Sequence, residues 1–405
     1  MRLRFFLGGV PFGCNNIGDE AILAGVVCIL RRTFKNPEIT VSTGETEKTA
    51  SLLGVNTAPL YGFKKEHPLS ELPNALKEQD VFIWAGATGL SDYPVLATQI
   101  LSVAQKEALQ TIIWGVGMDS TFNPAFFKLS GKKLFFCNLL KKATANFVDV
   151  PVRIERYLVK DIRRRIAAAL SKADLLVCRD PESREELLQC SPALPITVGA
   201  DSALIFDQPD IASISHLPKT VLEALSENCE KVGVCISSQR SIQNMDSLVG
   251  TLDSIVSPPS RRIFFIPMNP KTDYDLMRKL QAQMTNRNKC FLLDGCEEPQ
   301  QVLTVASQCS VVISSRLHLL ILSANVKTPI IGISRGSKID NFLEQFGLKS
   351  AGDVSHCDFD FILAETDRLI SNPKPYREKR AQVYSQLLER LAAAESLLFK
   401  KLASV

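Results

Sequence analysis

Short apolar runs alternate with longer amphipathic stretches along the whole chain, and polar residues or glycine end each run. Runs of this length predict buried strands, and apolar positions spaced three and four residues apart predict helices. The predicted strands are residues 3–7, 38–42, 81–85, 111–116, 175–178, 196–198, 231–236, 262–267, 290–293, 310–313 and 329–333. The predicted helices include residues 20–34, 181–188, 273–284, 299–308 and 317–324. Alternation of strand and helix is typical of parallel sheets, so the predicted fold class is α/β with two Rossmann-like domains.

The alternation breaks within residues 206–217, where Asp207-Gln208-Pro209-Asp210 interrupts it. A chain of 405 residues is too long for one typical domain. We therefore predict one Rossmann-like domain over residues 1–206 and a second over residues 207–372. A long amphipathic stretch follows Pro373 and Pro375, so residues 373–405 are predicted to form a separate C-terminal helix.

The composition excludes several classes of protein. Hydrophobic residues make up 45% of the chain and charged residues 22%, which is ordinary for a globular protein, and a net charge of +4 is too small to indicate nucleic-acid binding. Eleven cysteines occur without a Cys-x-x-Cys pair, which predicts reduced thiols, a cytoplasmic location and no metal site. No run of 18 apolar residues is present, and the first apolar run is too short for a signal peptide.

One segment, residues 128–165, differs from the rest of the chain. It holds eleven basic residues against three acidic ones, a net charge of +8. Five phenylalanines are interleaved with or flank these charges: Phe126, Phe127, Phe135, Phe136 and Phe147. Basic residues with aromatic neighbours suit an anionic membrane surface or a lipid-linked phosphate, so the segment predicts peripheral contact with the inner face of a membrane. The alternative is an ordinary solvated helix whose phenylalanines belong to the core.

The candidate chemistry begins at residues 311–320. The apolar run Val311-Val312-Ile313 ends at Ser314-Ser315, and an apolar helix follows from Leu317. A serine cap would place Arg316 and His318 in the first helical turn, where the macrodipole disfavours cations. An anion such as phosphate or carboxylate would offset that cost. The alternative is a solvated arginine and a packed histidine.

A second buried strand, residues 329–333, ends just before Arg335-Gly336-Ser337-Lys338. Ligands of open α/β sheets bind beyond the carboxyl ends of the strands. The two strand ends therefore predict one crevice that is lined by Arg316, His318, Arg335 and Lys338, although a lysine such as Lys338 is more often a surface residue.

Several motifs together resemble the polysaccharide pyruvyl transferase family. The most specific is Ser-x-Arg-Leu-His at residues 314–318, followed by an apolar helix, Pro-Ile-Ile-Gly-Ile-Ser and Lys-Ile-Asp. Weaker counterparts are Gly-Cys-Asn-Asn-Ile-Gly-Asp-Glu-Ala-Ile-Leu at 13–23, Arg-Asp-x-x-Ser at 179–183 and Gly-Ala-Asp at 199–201. The resemblance covers residues 5–350. Ser202, the Arg335-Gly336 pair and the short glycine run at 86–90 depart from the family pattern, which affects the acceptor more than the reaction.

The resemblance implies transfer of a pyruvyl group from phosphoenolpyruvate to a sugar, with formation of a cyclic ketal and release of phosphate. The acceptor would be a polysaccharide or its lipid-linked precursor, and no cofactor is implied beyond phosphoenolpyruvate as co-substrate. The implied architecture is GT-B-like, with two domains that face each other across a cleft. The N-terminal domain would bind the acceptor, the C-terminal domain would bind phosphoenolpyruvate, and the C-terminal helix would brace both.

Roles follow for residues of the C-terminal domain. Arg316 and the helix N-terminus at Ser315 and Leu317 would hold the anionic groups of the donor, because an arginine fork binds phosphate and carboxylate bidentately. His318 would protonate the methylene carbon or stabilise the departing phosphate, since imidazole releases a proton near neutral pH. Arg335 and Lys338 would add positive charge.

In the N-terminal domain, Arg179 follows the strand 175–178 and would be a second anion clamp. Its role and that of His318 are interchangeable on the sequence, and a salt bridge with Asp180 or Glu182 is the structural alternative. Asn16, Asp19 and Thr88 are predicted acceptor-side residues, while helix capping accounts equally well for the first two.

Two other functions remain open at this point. A GT-B glycosyltransferase that uses a nucleotide sugar would share the fold and the need for cations. A noncatalytic subunit of a polysaccharide assembly complex would share the fold alone.

Overall fold

The computed structural model describes residues 3–107, 109–120, 122–143, 147–240 and 242–403. The chain forms two compact units, each with its own sheet. Unit 1 comprises Met1–Pro11, Leu30–Gly199 and Ala394–Val405, and unit 2 comprises Phe12–Ile29 and Ala200–Ala393.

The first seven strands form the sheet of unit 1. They are β1 (Arg4–Phe12), β2 (Glu38–Thr43), β3 (Asn56–Pro59), β4 (Val81–Ala85), β5 (Gln110–Val116), β6 (Leu175–Cys178) and β7 (Ile196–Val198). Their order in the sheet is β3-β2-β1-β4-β5-β6-β7. The pairs β2–β3, β1–β4, β4–β5, β5–β6 and β6–β7 are parallel. This is a doubly wound sheet, which changes direction between β1 and β4.

Within the described residues, nine helices connect these strands or follow them. They are α1 (Ile17–Thr33), α2 (Thr46–Leu53), α3 (Leu72–Leu76), α4 (Gly89–Asp92), α5 (Pro94–Lys106), α6 (Pro124–Phe127), α7 (Gly131–Ala143), α8 (Val150–Leu170) and α9 (Pro181–Leu188). Asp149 caps α8 by accepting from the Val152 amide, and Asp180 caps α9 by accepting from the Ser183 amide.

Unit 2 contains a five-stranded sheet and a small two-stranded one. The strands are β8 (Glu230–Cys235), β9 (Arg261–Phe265), β10 (Cys290–Leu292), β11 (Val311–Ser314), β12 (Ile330–Gly332), β13 (Gly352–Asp353) and β14 (His356–Cys357). The helices are α10 (Lys219–Ser226), α11 (Met245–Val256), α12 (Thr272–Gln283), α13 (Pro299–Gln308), α14 (Leu317–Asn325), α15 (Ser337–Gln345), α16 (Phe359–Ser371) and α17 (Lys374–Leu402). The larger sheet has the order β10-β9-β8-β11-β12, and all four of its strand pairs are parallel.

Burial explains why the strands are almost continuously apolar. Helices cover both faces of a doubly wound sheet, so both sets of side chains leave water. All five residues of β4 and all four of β11 are buried. α14 is buried on every side, and His318 is its single residue that is not buried. A helix that is buried on every side belongs to the core. The partial exposure of His318 is therefore an exception within α14 and has a local cause.

The parallel sheets confirm the predicted fold class. The predicted strands at 81–85, 175–178 and 196–198 and the helices at 181–188 and 299–308 have the observed bounds. β3, β13 and β14 were not predicted. β3 is a four-residue edge strand with the sequence Asn-Thr-Ala-Pro, and β13 and β14 have two residues each, so none carries an apolar run.

The bounds of the compact units differ from the predicted division into residues 1–206, 207–372 and 373–405. The start of α1 belongs to unit 2, where the Ile17 amide donates to the Met268 carbonyl at 3.0 Å. Gly25 also packs on the Ser202 carbonyl. Residues 374–393 of α17 belong to unit 2 and its last turns to unit 1. The roles assigned to the predicted domains stay predictions.

Candidate active site

The sheet of unit 2 has a topological switch point between β8 and β11. From β8 the chain builds outward through β9 to β10, and then returns to the other side of β8 with β11 and β12. The loops after β8 and β11 therefore leave the sheet in opposite directions, which opens a crevice at their carboxyl ends. Ser314 lies beside Cys235 in register, so residues 236–240 and 315–316 line this crevice.

The two serines that follow β11 shape its loop, although neither caps α14. The Ser314 hydroxyl accepts from the Arg316 amide at 2.9 Å and donates to the Arg316 carbonyl. The Ser315 hydroxyl accepts from the Ser237 amide at 2.8 Å and joins this loop to the one after β8. Arg316 itself is the N-cap, in an extended conformation. The predicted serine cap, with Arg316 in the first turn, is thus wrong, because the serine hydroxyls bond to loop backbone instead.

The Arg316 side chain is buried in a bidentate pair with Asp273. Its Nε donates to Asp273 Oδ2 at 2.9 Å and its Nη2 donates to Oδ1 at 2.8 Å. Asp273 has no exposed surface, and it also accepts from the amides of Ser238 and Asn269. The pair is neutral overall and fixes the loops after β8 and β9. Arg316 therefore keeps only its Nη1 edge, 3.4 Å from Gln239 Oε1, for other partners.

Arg335 is held by neutral groups alone. Its Nε donates to the Ser315 carbonyl at 2.7 Å, and its Nη1 donates to the Ser237 hydroxyl at 2.8 Å and lies 3.4 Å from Gln239 Oε1. No carboxylate in the described part of the chain forms an ion pair with it. Burial, and then the neighbouring Arg316, lower the pKa of Arg335 to about 10. The cation is charged at neutral pH but has no ion-pair partner among the described residues, and a bound anion would supply one.

Two further cations border this cluster. Arg240 is exposed and donates to the main-chain carbonyl of Arg335. Lys338 lies half-buried in the first turn of α15. Asp273 neutralises the charge of Arg316, the arginine of the Ser-x-Arg-Leu-His motif. The positive charge of the crevice therefore comes from Arg335 and Arg240.

His318 makes a different set of contacts. Its Nε2 lies 3.5 Å from Asp201 Oδ2, and 15% of its side chain is exposed. This distance is too long for a good hydrogen bond, and the buried Nε2 has no hydrogen-bond partner among the described residues. The other side of the ring lies against Gly18. A Cβ built on Gly18 would meet His318 Cγ at 2.6 Å and Cβ at 2.9 Å, and Nδ1 closer still.

The predicted acceptor-side residues of the N-terminal loop hold the start of α1. Asn16 Oδ1 accepts from the Gly18 amide at 3.3 Å, and its Nδ2 donates to Asp19 Oδ2 at 2.7 Å. Glu20 accepts from the Gly13 amide at 2.7 Å. The capping arrangement that the sequence allowed is therefore present. Because Gly18 contacts His318, the same turn also supports the imidazole.

Arg179 and Thr88 lie together in unit 1. Arg179 follows β6, is 8% exposed, and its Nε donates to Asp180 Oδ2 at 3.0 Å. A Cβ on Gly117 would be 2.7 Å from Arg179 Nη2 and 3.0 Å from Thr88 Cγ2. Thr88 donates to Asp92 at 2.5 Å. The salt bridge considered as the alternative for Arg179 is present, and it leaves the Nη2 edge of the guanidinium against Gly117.

The described contacts thus join some predicted site residues and not others. Ser315, Arg316 and Arg335 meet around Ser237 and Gln239, His318 lies with Gly18 and Asp201, and Arg179 lies with Thr88 in unit 1. Six partners were not assigned to the site by sequence reasoning: Gly18, Asp201, Ser237, Gln239, Arg240 and Asp273. Asp273 lies in the first turn of a predicted helix, where a carboxylate has an ordinary explanation, so no local signal distinguished it.

Comparison with known proteins identifies the family. The pattern of the polysaccharide pyruvyl transferase family matches residues 16–153 and 154–337. The chain belongs to this family. No curated protein matches the sequence.

Solved structures show the same fold at low identity. A Listeria monocytogenes protein described as a UDP-N-acetylglucosamine 2-epimerase has a TM-score of 0.63 and 15% identity, over 95% of this chain and 91% of its own. Anabaena HepE in complex with UDP-glucose has a TM-score of 0.61 and 11% identity over the whole of both chains. The Neisseria meningitidis UDP-GlcNAc 2-epimerase bound to UDP-GlcNAc has a TM-score of 0.58 and 12% identity, also over both whole chains. These are GT-B folds, in agreement with the predicted class.

Proposed function

We propose that this protein transfers the pyruvyl group of phosphoenolpyruvate to two hydroxyls of a saccharide and releases phosphate. The observation that carries the proposal is Arg335, a half-buried cation that forms hydrogen bonds only with neutral groups of the described chain, at the switch point of unit 2. In a chain of this family, such a cation suits a small donor with a phosphate and a carboxylate. The saccharide belongs to a polysaccharide or its lipid-linked precursor.

The donor needs two anion contacts and one proton. We assign the anion contacts to Arg335 and to the Nη1 edge of Arg316, both of which contact Gln239 Oε1 at 3.4 Å. A proton must reach the methylene carbon of the donor, which becomes a methyl group and leaves a cationic carbon. One sugar hydroxyl then adds to that carbon, the second displaces the phosphate, and each hydroxyl loses its proton.

We assign the proton to His318, because a guanidinium holds its proton too tightly for this step. His318 lies two residues after Arg316 at the same helix start. Its Nε2 is buried without a hydrogen-bond partner in the described chain, and 15% of its side chain is exposed. Asp201 beside Nε2 provides a negative charge when the imidazole is protonated. Arg179 in unit 1, whose role the sequence left interchangeable with that of His318, is a guanidinium and is therefore not assigned the proton.

A nucleotide-sugar glycosyltransferase is the competing function. Solved structures of this fold hold UDP-glucose or UDP-GlcNAc, and a diphosphate would also suit the cations around Arg335. The two functions differ in the donor that binds.

The test uses the full chain with phosphoenolpyruvate and a panel of saccharides. We expect phosphate release that depends on the acceptor, together with a pyruvate ketal on the product by mass spectrometry. Arg335→Gln should lose donor binding, whereas Lys271→Gln, an exposed lysine in the same unit, should not. Thermal protection by UDP-sugars and none by phosphoenolpyruvate would overturn the proposal in favour of the glycosyltransferase.

A further inference from the structure

α7 in unit 1 leaves a row of large apolar side chains in water. Phe135, Phe136, Leu139 and Leu140 are 66%, 60%, 55% and 56% exposed. Their spacing of one, four and five residues places all four on one side of the helix within two turns. We call these four residues the α7 apolar face. A contiguous exposed face of this kind marks an interaction surface.

The rest of α7 is anchored to the protein. The helix packs against α8, and Cys137, between the two pairs of the apolar face, is buried. Phe135 and Phe136 contact each other edge to face at 5.9 Å. The face is therefore presented by a helix whose other side is occupied.

Lysines that flank the α7 apolar face indicate the chemistry of its partner. Lys132 and Lys133 precede it, and Lys141 and Lys142 follow it. Lys141 pairs with Asp149 at 2.6 Å, whereas Lys132, Lys133 and Lys142 form no ion pair among the described residues, which omit 144–146. An apolar row with cations at both ends matches the acyl chains and anionic headgroups of a bilayer surface.

α8 adds to the same charge. Arg153, Arg156 and Lys160 are exposed and form no ion pair within the described chain. A groove of about 490 Å³ along this helix is lined by Arg156, Lys160 and Glu155, together with Arg163 and Arg164. The last two arginines pair with Glu186 and Asp161, so Arg156 and Lys160 supply the positive charge of the groove. A second copy of the chain would bring like charges together at both ends of the face, which disfavours self-association through it.

We propose that α7 docks this protein on the surface of an anionic lipid bilayer, with the α7 apolar face among the acyl chains and the lysines at the headgroups. None of the helices in the described ranges has the length and apolar character of a membrane span. The inference uses residues of unit 1 and does not depend on the proposed reaction. It is also independent of any lipid on the acceptor.

Co-sedimentation of the full chain with vesicles tests the docking. We expect binding to phosphatidylcholine vesicles that contain phosphatidylglycerol, weak binding to phosphatidylcholine alone, and release by salt. Lys132→Gln/Lys133→Gln should weaken vesicle binding about 30-fold, because each lysine near an anionic surface contributes about 1 kcal/mol to the binding free energy. The matched pair Lys271→Gln/Lys279→Gln removes the same charge from exposed sites of unit 2 and should have no effect.

The apolar contribution is tested separately. Leu139→Gln/Leu140→Gln should abolish binding without a change in melting temperature, since both side chains are exposed. A Phe136→Trp reporter should shift to the blue and be quenched by brominated lipid. The native Trp84 and Trp114 are buried and serve as the unquenched control. A Phe136→Trp reporter that shows neither a blue shift nor quenching would overturn the proposal. A dimer that forms without lipid and that Leu139→Gln/Leu140→Gln dissociates would also overturn it.

Discussion

The contact between Gly18 and His318 offers the sharpest test of the proposed acid. A methyl group on Gly18 would lie 2.6 Å from His318 Cγ and 2.9 Å from Cβ. Because the clash involves Cβ and Cγ of His318, rotation of the imidazole ring about χ2 cannot relieve it. Gly18 lies in the first turn of α1, so alanine suits its backbone and would by itself stabilise the helix by about 0.5–1 kcal/mol. Overpacking costs about 1–3 kcal/mol, and the net loss of stability should be small.

The effect on turnover should be much larger. If His318 is the general acid, its displacement removes a contribution of about 10²–10⁴-fold. We expect Gly18→Ala to lower kcat at least about 100-fold while the melting temperature changes little. Pyruvyl transfer followed by phosphate release, with circular dichroism melting in parallel, measures both quantities.

The double variant Gly18→Ala/His318→Ala distinguishes this mechanism from a general disturbance. Two substitutions that act through one group are not additive, so the double variant should be no slower than His318→Ala alone. Gly250→Ala is the matched control, since Gly250 lies inside α11 with nothing within 4 Å of the added methyl. Additive losses, or a Gly18→Ala enzyme with more than half of the activity, would refute the reasoning.

Three further predictions concern stability and pH. Asp273→Asn leaves the buried Arg316 without its counter-charge and should lower the free energy of unfolding by about 3–5 kcal/mol in urea titration; a loss below about 1 kcal/mol would contradict a dry ion pair. Phosphoenolpyruvate affinity should fall as pH rises through about 10, because the lowered pKa of Arg335 means that its charge is lost there; Arg335→Gln should bind weakly and without this decline. Arg380→Leu removes the donors to the last two carbonyls of α14 and should lower the free energy of unfolding by about 2–4 kcal/mol. An unchanged melting temperature would contradict this prediction.

Most of the fold could be predicted from the sequence because its signals are local. The runs at 81–85 and 175–178 are apolar because they are buried on both faces, and polar residues end them where the chain leaves the sheet. Strand–helix alternation then required parallel pairing. β3 was missed because an edge strand is less buried, and its Asn-Thr-Ala-Pro sequence carries no apolar signal.

The sequence by itself also determined that Arg316, His318 and Arg335 follow strand ends, and thus that cations gather at one edge of a sheet. Only the tertiary structure decided which of them carries uncompensated charge. Asp273 is 43 residues from Arg316 along the chain, and the sheet order that brings their loops together is a property of the assembled unit. The pairing of His318 with Asp201 and Gly18 has the same origin. Side-chain partners across loops depend on distances that no local pattern encodes, whereas strands and helices depend on neighbours a few residues away.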